Sequence, residues 1–218
     1  MKVKILYDNE AKRPLKSDWG FSAFIEGEEK ILFDTGNDGD ILESNMQKMD
    51  VDPSKIDKVV LSHEHHDHTG GLFSIIDESM EVFVPQSFAR GLKKKVKKEA
   101  YLVEVSSRQK ISSDILTTGE IRASVKEQSL LIKYDDGYIL FTGCAHPGVT
   151  SIIREASRYW KIEGVMGGFH GFKDLDALKH MFPILPCHCT KYKDEIKDRY
   201  PDKTLECFAG LELDIGGE

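Results

Sequence analysis

Short apolar runs, each closed by a turn residue, recur along most of this chain. Lys2–Tyr7 and Ser22–Glu26 read as strands, and Lys30–Phe33 as a third that ends at Asp34-Thr35-Gly36. Residues 40–49 place Ile41, Leu42, Met46 and Met49 at helical spacing, and Asp52-Pro53 breaks the pattern. The segment 56–61 is a short apolar strand that runs directly into a histidine cluster. Residues 70–76 look like a helix start and 82–85 a strand. Further strands are expected at Tyr101–Val105, 121–125, 129–134 and 138–142, with Asp135-Asp136-Gly137 as a hairpin turn. Residues 148–159 read as a helix, 162–166 as a strand, 174–181 as a helix, Ile184–Cys187 as a strand and 190–200 as a helix.

Strands and helices are mixed in both halves. Ile31-Leu32-Phe33-Asp34-Thr35-Gly36 is faintly echoed by Ile139-Leu140-Phe141-Thr142-Gly143, which suggests a two-half design. There is no linker or low-complexity tract, so a single domain over 1–218 is expected. A length of 218 residues is ordinary for one α/β core.

Composition narrows the class. Charged residues make up 31% and apolar residues 40%, which argues against wholesale disorder. The net charge of -7, from 37 acidic against 30 basic residues, gives no general reason to expect a nucleic-acid partner. No run is long enough to span a bilayer, and the apolar stretch after Met1 is too short for a signal-peptide core. Four Cys do not suggest a disulfide framework. Cys187 and Cys189 flank His188, and reduced thiols in a cytoplasmic setting are expected. Residues 90–98 carry six basic side chains around Leu92 and Val96. Either this is a solvated amphipathic helix face or it is an electropositive rim that guides an anionic substrate.

The strongest chemical signal is Ser62-His63-Glu64-His65-His66-Asp67-His68-Thr69-Gly70-Gly71. Several imidazole nitrogens and a carboxylate fall within six positions, a donor set that suits zinc, iron or manganese. On extended backbone His63 and His65 point the same way, because side chains alternate with period two. Asp67 and His68 lie past the turn, within reach of a second ion. A polar surface loop with chance histidines would rarely follow an apolar strand so directly.

These residues resemble the His-x-His-x-Asp-His motif of the metallo-β-lactamase superfamily. Asp34-Thr35-Gly36 resembles that family's strand-end motif. Asp18-Trp19-Gly20-Phe21-Ser22, Ser44-Asn45-Met46, Thr142-Gly143-Cys144-Ala145-His146-Pro147-Gly148, Gly167-Gly168-Phe169-His170 and Pro186-Cys187-His188-Cys189-Thr190 are similar to a branch that includes pterin-aminobenzene riboside phosphate synthases. The resemblance implies an α/β, four-layer αββα sandwich with two divalent metal ions, zinc first and iron or manganese as alternatives. It implies that His63, His65 and His146 bind one ion and that Asp67, His68 and His188 bind the other. It further implies a metal-activated water as nucleophile, with Asp67 and His170 as the catalytic side chains. His170 would touch substrate, act as acid or base, or support a ligand by hydrogen bonding. His66 and His180 are expected at the surface.

The pattern departs from the family in four places. Cys144 stands where most members have a bridging Asp, and Glu127-Gln128-Ser129 where most have a ligand His. Lys191 replaces a Gly and Gly171 an apolar residue. Cys144 is a thiolate ligand, a support for the ligands, or simply buried. The implied activity is hydrolysis of a small anionic, phosphorylated substrate. A pterin-aminobenzene riboside phosphate synthase is the first alternative, and a di-iron redox protein or a metal-dependent binding protein the alternative of another class. An anion would be met by Lys191 and by the start of the helix expected at 190–200, with Phe21 and Trp19 stacking on an aromatic part or lying in the core.

Overall fold

The computed structural model describes residues 1–216. The chain divides into two compact units, Met1–Ser106 with Phe208–Ile215, and Ser107–Cys207. In the first, β1 (Lys2–Tyr7), β2 (Ser22–Glu26) and β3 (Lys30–Phe33) are followed by α1 (Gly39–Lys48), β4 (Lys58–Val60), α2 (His66–Thr69) and α3 (Leu72–Ile75). Then come β5 (Glu81–Pro85), α4 (Arg90–Glu99) and β6 (Tyr101–Val105). The sheet runs β1-β2-β3-β4-β5-β6, with the late strand Glu212–Asp214 on the outer side of β1. β1, β2 and β3 pair antiparallel, whereas β3, β4, β5 and β6 are parallel.

Helix α1 forms where the spacing predicts it. The Asp38 carboxylate caps it by accepting from Ile41 N–H at 3.1 Å, and Leu42 and Met46 turn inward. Buried Asn45 does different work: its amide donates to the carbonyls of Leu6 and Lys16 and accepts from Lys16 N–H, tying the segment after β1 to the helix. Leu6, Leu32, Leu42, Met46, Val59 and Leu61 belong to one fully buried cluster. Burying each such side chain contributes roughly 2 kcal/mol.

The second unit holds β7 (Gln109–Lys110), β8 (Ile115–Thr117), β9 (Leu130–Tyr134), β10 (Gly137–Thr142), α5 (Val149–Ala156), β11 (Ile162–Gly168), β12 (Ile184–Cys187) and α6 (Lys193–Arg199). Its sheet order is β12-β11-β10-β9-β8-β7. β9 and β10 form an antiparallel hairpin, and β10, β11 and β12 are parallel. Each unit thus repeats one motif: a hairpin (β2–β3, β9–β10), a helix (α1, α5), then a parallel strand (β4, β11). The echo at 31–36 and 139–143 marks the second hairpin strand of each. A separate buried cluster includes Leu131, Leu140, Ile152, Val165, Ile184 and Ile196. Both units are α/β, two mixed sheets each served by its own helices.

Some expected elements differ. No strand forms over 121–125; Ile121 makes one isolated bridge with Glu127, and beyond β9 the sheet continues with β8 and the edge strand β7 instead. The helix expected at 174–181 is a 3₁₀ turn, Leu175–Leu178, closed by i+3 bonds such as Lys179 N–H to Asp176 O. The helix expected to start at 190 begins at Lys193. Thr190 Oγ1 donates to Cys187 O at 2.7 Å and accepts from Phe169 N–H at 2.9 Å, while Lys191 N–H donates to His170 O. Those bonds hold 190–191 in a turn, so Lys191 is not in the first turn of a helix. The segment 70–76 yields only α3, Leu72–Ile75, and Gly70 before it lies where a Cβ would meet the Asn37 carbonyl oxygen at 2.1 Å. Among the described residues no helix is long and apolar enough to cross a membrane.

Candidate metal centre

β3 and β4 lie side by side and parallel, so the loops that leave their carboxyl ends emerge together. Asp34 follows β3 with φ 57 and is fully buried. Its Oδ1 accepts from Ser62 N–H at 2.7 Å, and its Oδ2 accepts from Ser62 Oγ and His68 Nδ1, each at 2.7 Å. A carboxylate oxygen accepts here, so His68 donates from Nδ1 and its Nε2 keeps its electron pair. The single Ser62 hydroxyl proton goes to Asp34. Ser62 Oγ therefore accepts from His63 Nδ1 at 2.9 Å, which leaves His63 Nε2 bare as well.

The bare nitrogens are not alone. His63 Nε2 lies 3.1 Å from His65 Nδ1, and His68 Nε2 lies 3.6 Å from Asp67 Oδ2. Two ligands about 2.1 Å from one tetrahedral ion sit about 3.4 Å apart, so both separations match a shared ion. His63 and His68 are buried and their ring centroids are 4.2 Å apart. Trp19, largely exposed, donates its indole N–H to Asp67 Oδ2 at 2.9 Å, while Phe21 is fully buried core. Glu64 is turned away and accepts from Ala89 N–H at the start of α4. His66 and His180 are exposed, as expected.

In the second unit the carboxyl ends of β10, β11 and β12 carry the other residues singled out in the sequence. Cys144 and His146 follow β10, His170 follows β11, and His188 and Cys189 follow β12. The loop after β10 is organised by Glu127, which is buried. Its Oε1 accepts from the N–H groups of Gly143, Cys144 and Ala145 at 2.9–3.0 Å, and its Oε2 from His146 N–H at 2.9 Å. His146 is half-buried, 5.1 Å from the exposed ring of His170 between centroids. His188 is buried with φ 47, and the ligand atoms of Cys144, His188 and Cys189 lie within 4.8 Å of one another. The donors are imidazole and carboxylate in the first unit, imidazole and thiol in the second, a chemistry suited to borderline divalent ions.

The motif marks Asp34 but not its hold on Ser62 and His68. In the sequence Glu127 stands out only as occupying the place of a missing His. An acidic residue next to the apolar strand 129–134 was the available signal.

Mixed sheets whose parallel strands end in histidine-, carboxylate- and thiol-bearing loops define an α/β protein with a candidate metal centre. A family model for the metallo-beta-lactamase superfamily matches residues 20–84. An uncharacterized protein of Methanocaldococcus jannaschii is 30% identical over 234 residues, covering 88% of this chain and 91% of the relative. A second protein of that organism, 7,8-dihydropterin-6-methyl-4-(beta-D-ribofuranosyl)-aminobenzene-5'-phosphate synthase, is 29% identical over 248 residues, 84% of each chain. A solved metal-dependent hydrolase of the beta-lactamase superfamily has the same fold, with a TM-score of 0.81 over 100% of both chains at 22% identity. The chain belongs to the metallo-β-lactamase superfamily.

Proposed function

We propose that this chain is a metal-dependent hydrolase acting on a small anionic, phosphorylated substrate, with two divalent ions held by His63, His65 and His146 and by Asp67, His68 and His188. The single observation that carries the proposal is the buried Asp34–Ser62 network, which turns the Nε2 atoms of His63 and His68 outward as paired ligands. The assignment of His146 and His188 to the two sets rests on the motif resemblance. Zinc is the first choice for these N and O donors, with iron and manganese as alternatives. Bound there, divalent ions supply Lewis acidity and bring the proton of a coordinated water within reach at neutral pH.

The protein's own groups do the rest. Asp34 fixes the His68 tautomer, and Trp19 orients the Asp67 carboxylate. Asp67 takes a proton from the attacking water or holds it in line. His170, exposed beside His146, contacts substrate or returns a proton to the leaving group. An anionic substrate is supported by a cavity of about 450 Å³ in the second unit, lined by Pro147, Arg122, Arg154 and Arg158 together with Glu120 and Glu155.

The test is turnover of phosphoesters, lactones and thioesters by zinc-, iron- and manganese-loaded protein. His63→Ala and Asp67→Ala should each lower turnover by more than about a hundredfold, beyond the loss seen for residues that only support a ligand. Near wild-type turnover in either variant would refute the ligand assignment. A synthase is favoured instead by the 29% identity to the dihydropterin synthase over 84% of both chains. Formation of a joined product from a dihydropterin and a ribofuranosyl-aminobenzene phosphate, with no hydrolysis in the panel, would decide for it.

A further inference from the structure

Strands β10, β11 and β12 are parallel neighbours, registered Thr142 to Gly167 and Gly168 to Cys187. The chain leaves β10 and β12 on either side of the end of β11. That end is Gly168, where a Cβ would meet Gly143 O at 2.3 Å, Cys189 Sγ at 2.8 Å and Cys144 Cα at 3.2 Å. Without a side chain there, the two flanking loops close over the strand end. Cys189 Sγ then lies 3.2 Å from Cys144 Sγ and 4.0 Å from the Cys144 carbonyl oxygen. Glu127 holds the Cys144 loop by four N–H bonds, and Thr190 holds the Cys189 loop to β11 and β12, so the approach is built into the backbone.

We propose that Cys144 and Cys189 are a thiol-modification site: a cysteine pair that hydrogen peroxide converts reversibly into a disulfide. A disulfide is about 2.05 Å long, so the sulfurs need to close by about 1.2 Å. Cys189 is half-buried and Cys144 buried, which makes Cys189 the first sulfur an oxidant meets. Its sulfur attacks one peroxide oxygen, the O–O bond breaks, and one water leaves with the thiol proton, giving the sulfenic acid. The Cys144 sulfur then displaces the hydroxyl from Cys189, forming the S–S bond, and the hydroxyl departs with the Cys144 proton as a second water. Two thiols and one peroxide become one disulfide and two waters. The pair flanks His146 and His188 in sequence, so cross-linking draws together the two loops that carry them. Only that consequence for metal binding rests on the proposed hydrolase function.

The experiment treats the full chain with about two equivalents of hydrogen peroxide, enough to carry one thiol through sulfenic to sulfinic acid, alkylates the remaining thiols and maps peptides by mass spectrometry, with bound metal measured before and after. One intramolecular cross-link between the Cys144 and Cys189 peptides is expected, reversed by dithiothreitol. Cys187 and Cys207 should remain alkylated. In Cys144→Ser, with its fold checked by circular dichroism, Cys189 should advance to sulfinic acid. Wild-type protein in which Cys189 reaches sulfinic acid while Cys144 stays alkylatable overturns the proposal, as does wild-type protein that retains all four thiols. These readouts on wild type decide the matter even if the variant does not fold. Metal-loaded protein that never cross-links overturns the pair alone, whereas a cross-link in protein that binds no metal overturns the hydrolase function and leaves the pair standing.

Discussion

Among single residues, Asp34 shows how one buried carboxylate orders the histidines of a candidate metal site. It accepts three hydrogen bonds and thereby decides which nitrogen of His68, and through Ser62 which nitrogen of His63, faces outward. Asp34→Asn replaces one acceptor oxygen by an amide that cannot accept from His68 or Ser62. The His68 ring loses its anionic partner, and metal affinity should fall about 10- to 100-fold with the fold retained. Competitive titration against a chelator measures this, and unchanged affinity would show that Asp34 does not act on the ligands. A second carboxylate acts on stability. Tyr7 donates its hydroxyl to Asp18 at 2.8 Å, and Asn37 donates to the same oxygen at 3.2 Å. Burial, then the hydrogen bond and charge of Asp18, push the Tyr7 phenol well above its ordinary range. The Tyr7 hydrogen bond holds the Asp18 carboxyl below its ordinary range. A depressed carboxylate stabilises the fold above its unfolded pKa, and that stability is lost as pH falls through the lower folded pKa. Denaturation in urea between neutrality and acid should therefore show a smaller acid loss in Asp18→Asn than in wild type. Identical acid limbs would contradict the assignment.

At the scale of elements, the loop after β10 depends on a residue 16 to 19 positions upstream. Glu127 gathers four backbone N–H groups that the turn at 143–146 would otherwise bury unpaired. Glu127→Ala should destabilise the protein by about 3 kcal/mol, the order of cost for leaving a buried network without its partner. Urea midpoints measure it, and a loss below about 1 kcal/mol would mean that water replaces the carboxylate. The same residue explains what the sequence could not convey. Residues 121–125 carry alternating apolar side chains, yet Glu127 must fold back to the β10 loop, and Ile121 is left with one isolated bridge. Thr190 and Lys191 fit a helical pattern, but both are spent on β11, β12 and His170, so α6 waits until Lys193. Local periodicity records local preference; these two departures are set by long-range hydrogen bonds. Where periodicity and tertiary packing agree, as in α1 with Leu42 and Met46 inward, the element was legible. In α4 the basic run is a solvated face in which Lys93 and Lys97 pair with Glu104 of β6.

At the scale of the whole molecule, each unit repeats hairpin, helix and parallel strand, and its chemistry-bearing side chains follow the carboxyl ends of strands. Ligands placed there sit on loops above a rigid scaffold, so chemistry can vary without loss of the core. The cluster at 63–68 was legible because its donors are crowded into six positions; the partners His146 and His188 stand alone in sequence and were named only through their flanking motifs. The metal content of the folded protein decides whether these donors act as proposed. Elemental analysis of protein purified gently and without chelators measures it. About two divalent ions per folded chain are expected, falling to about one or none in His63→Ala and Asp67→Ala. Folded wild-type protein that carries no metal and takes up none on dialysis against zinc, iron or manganese would contradict the proposal.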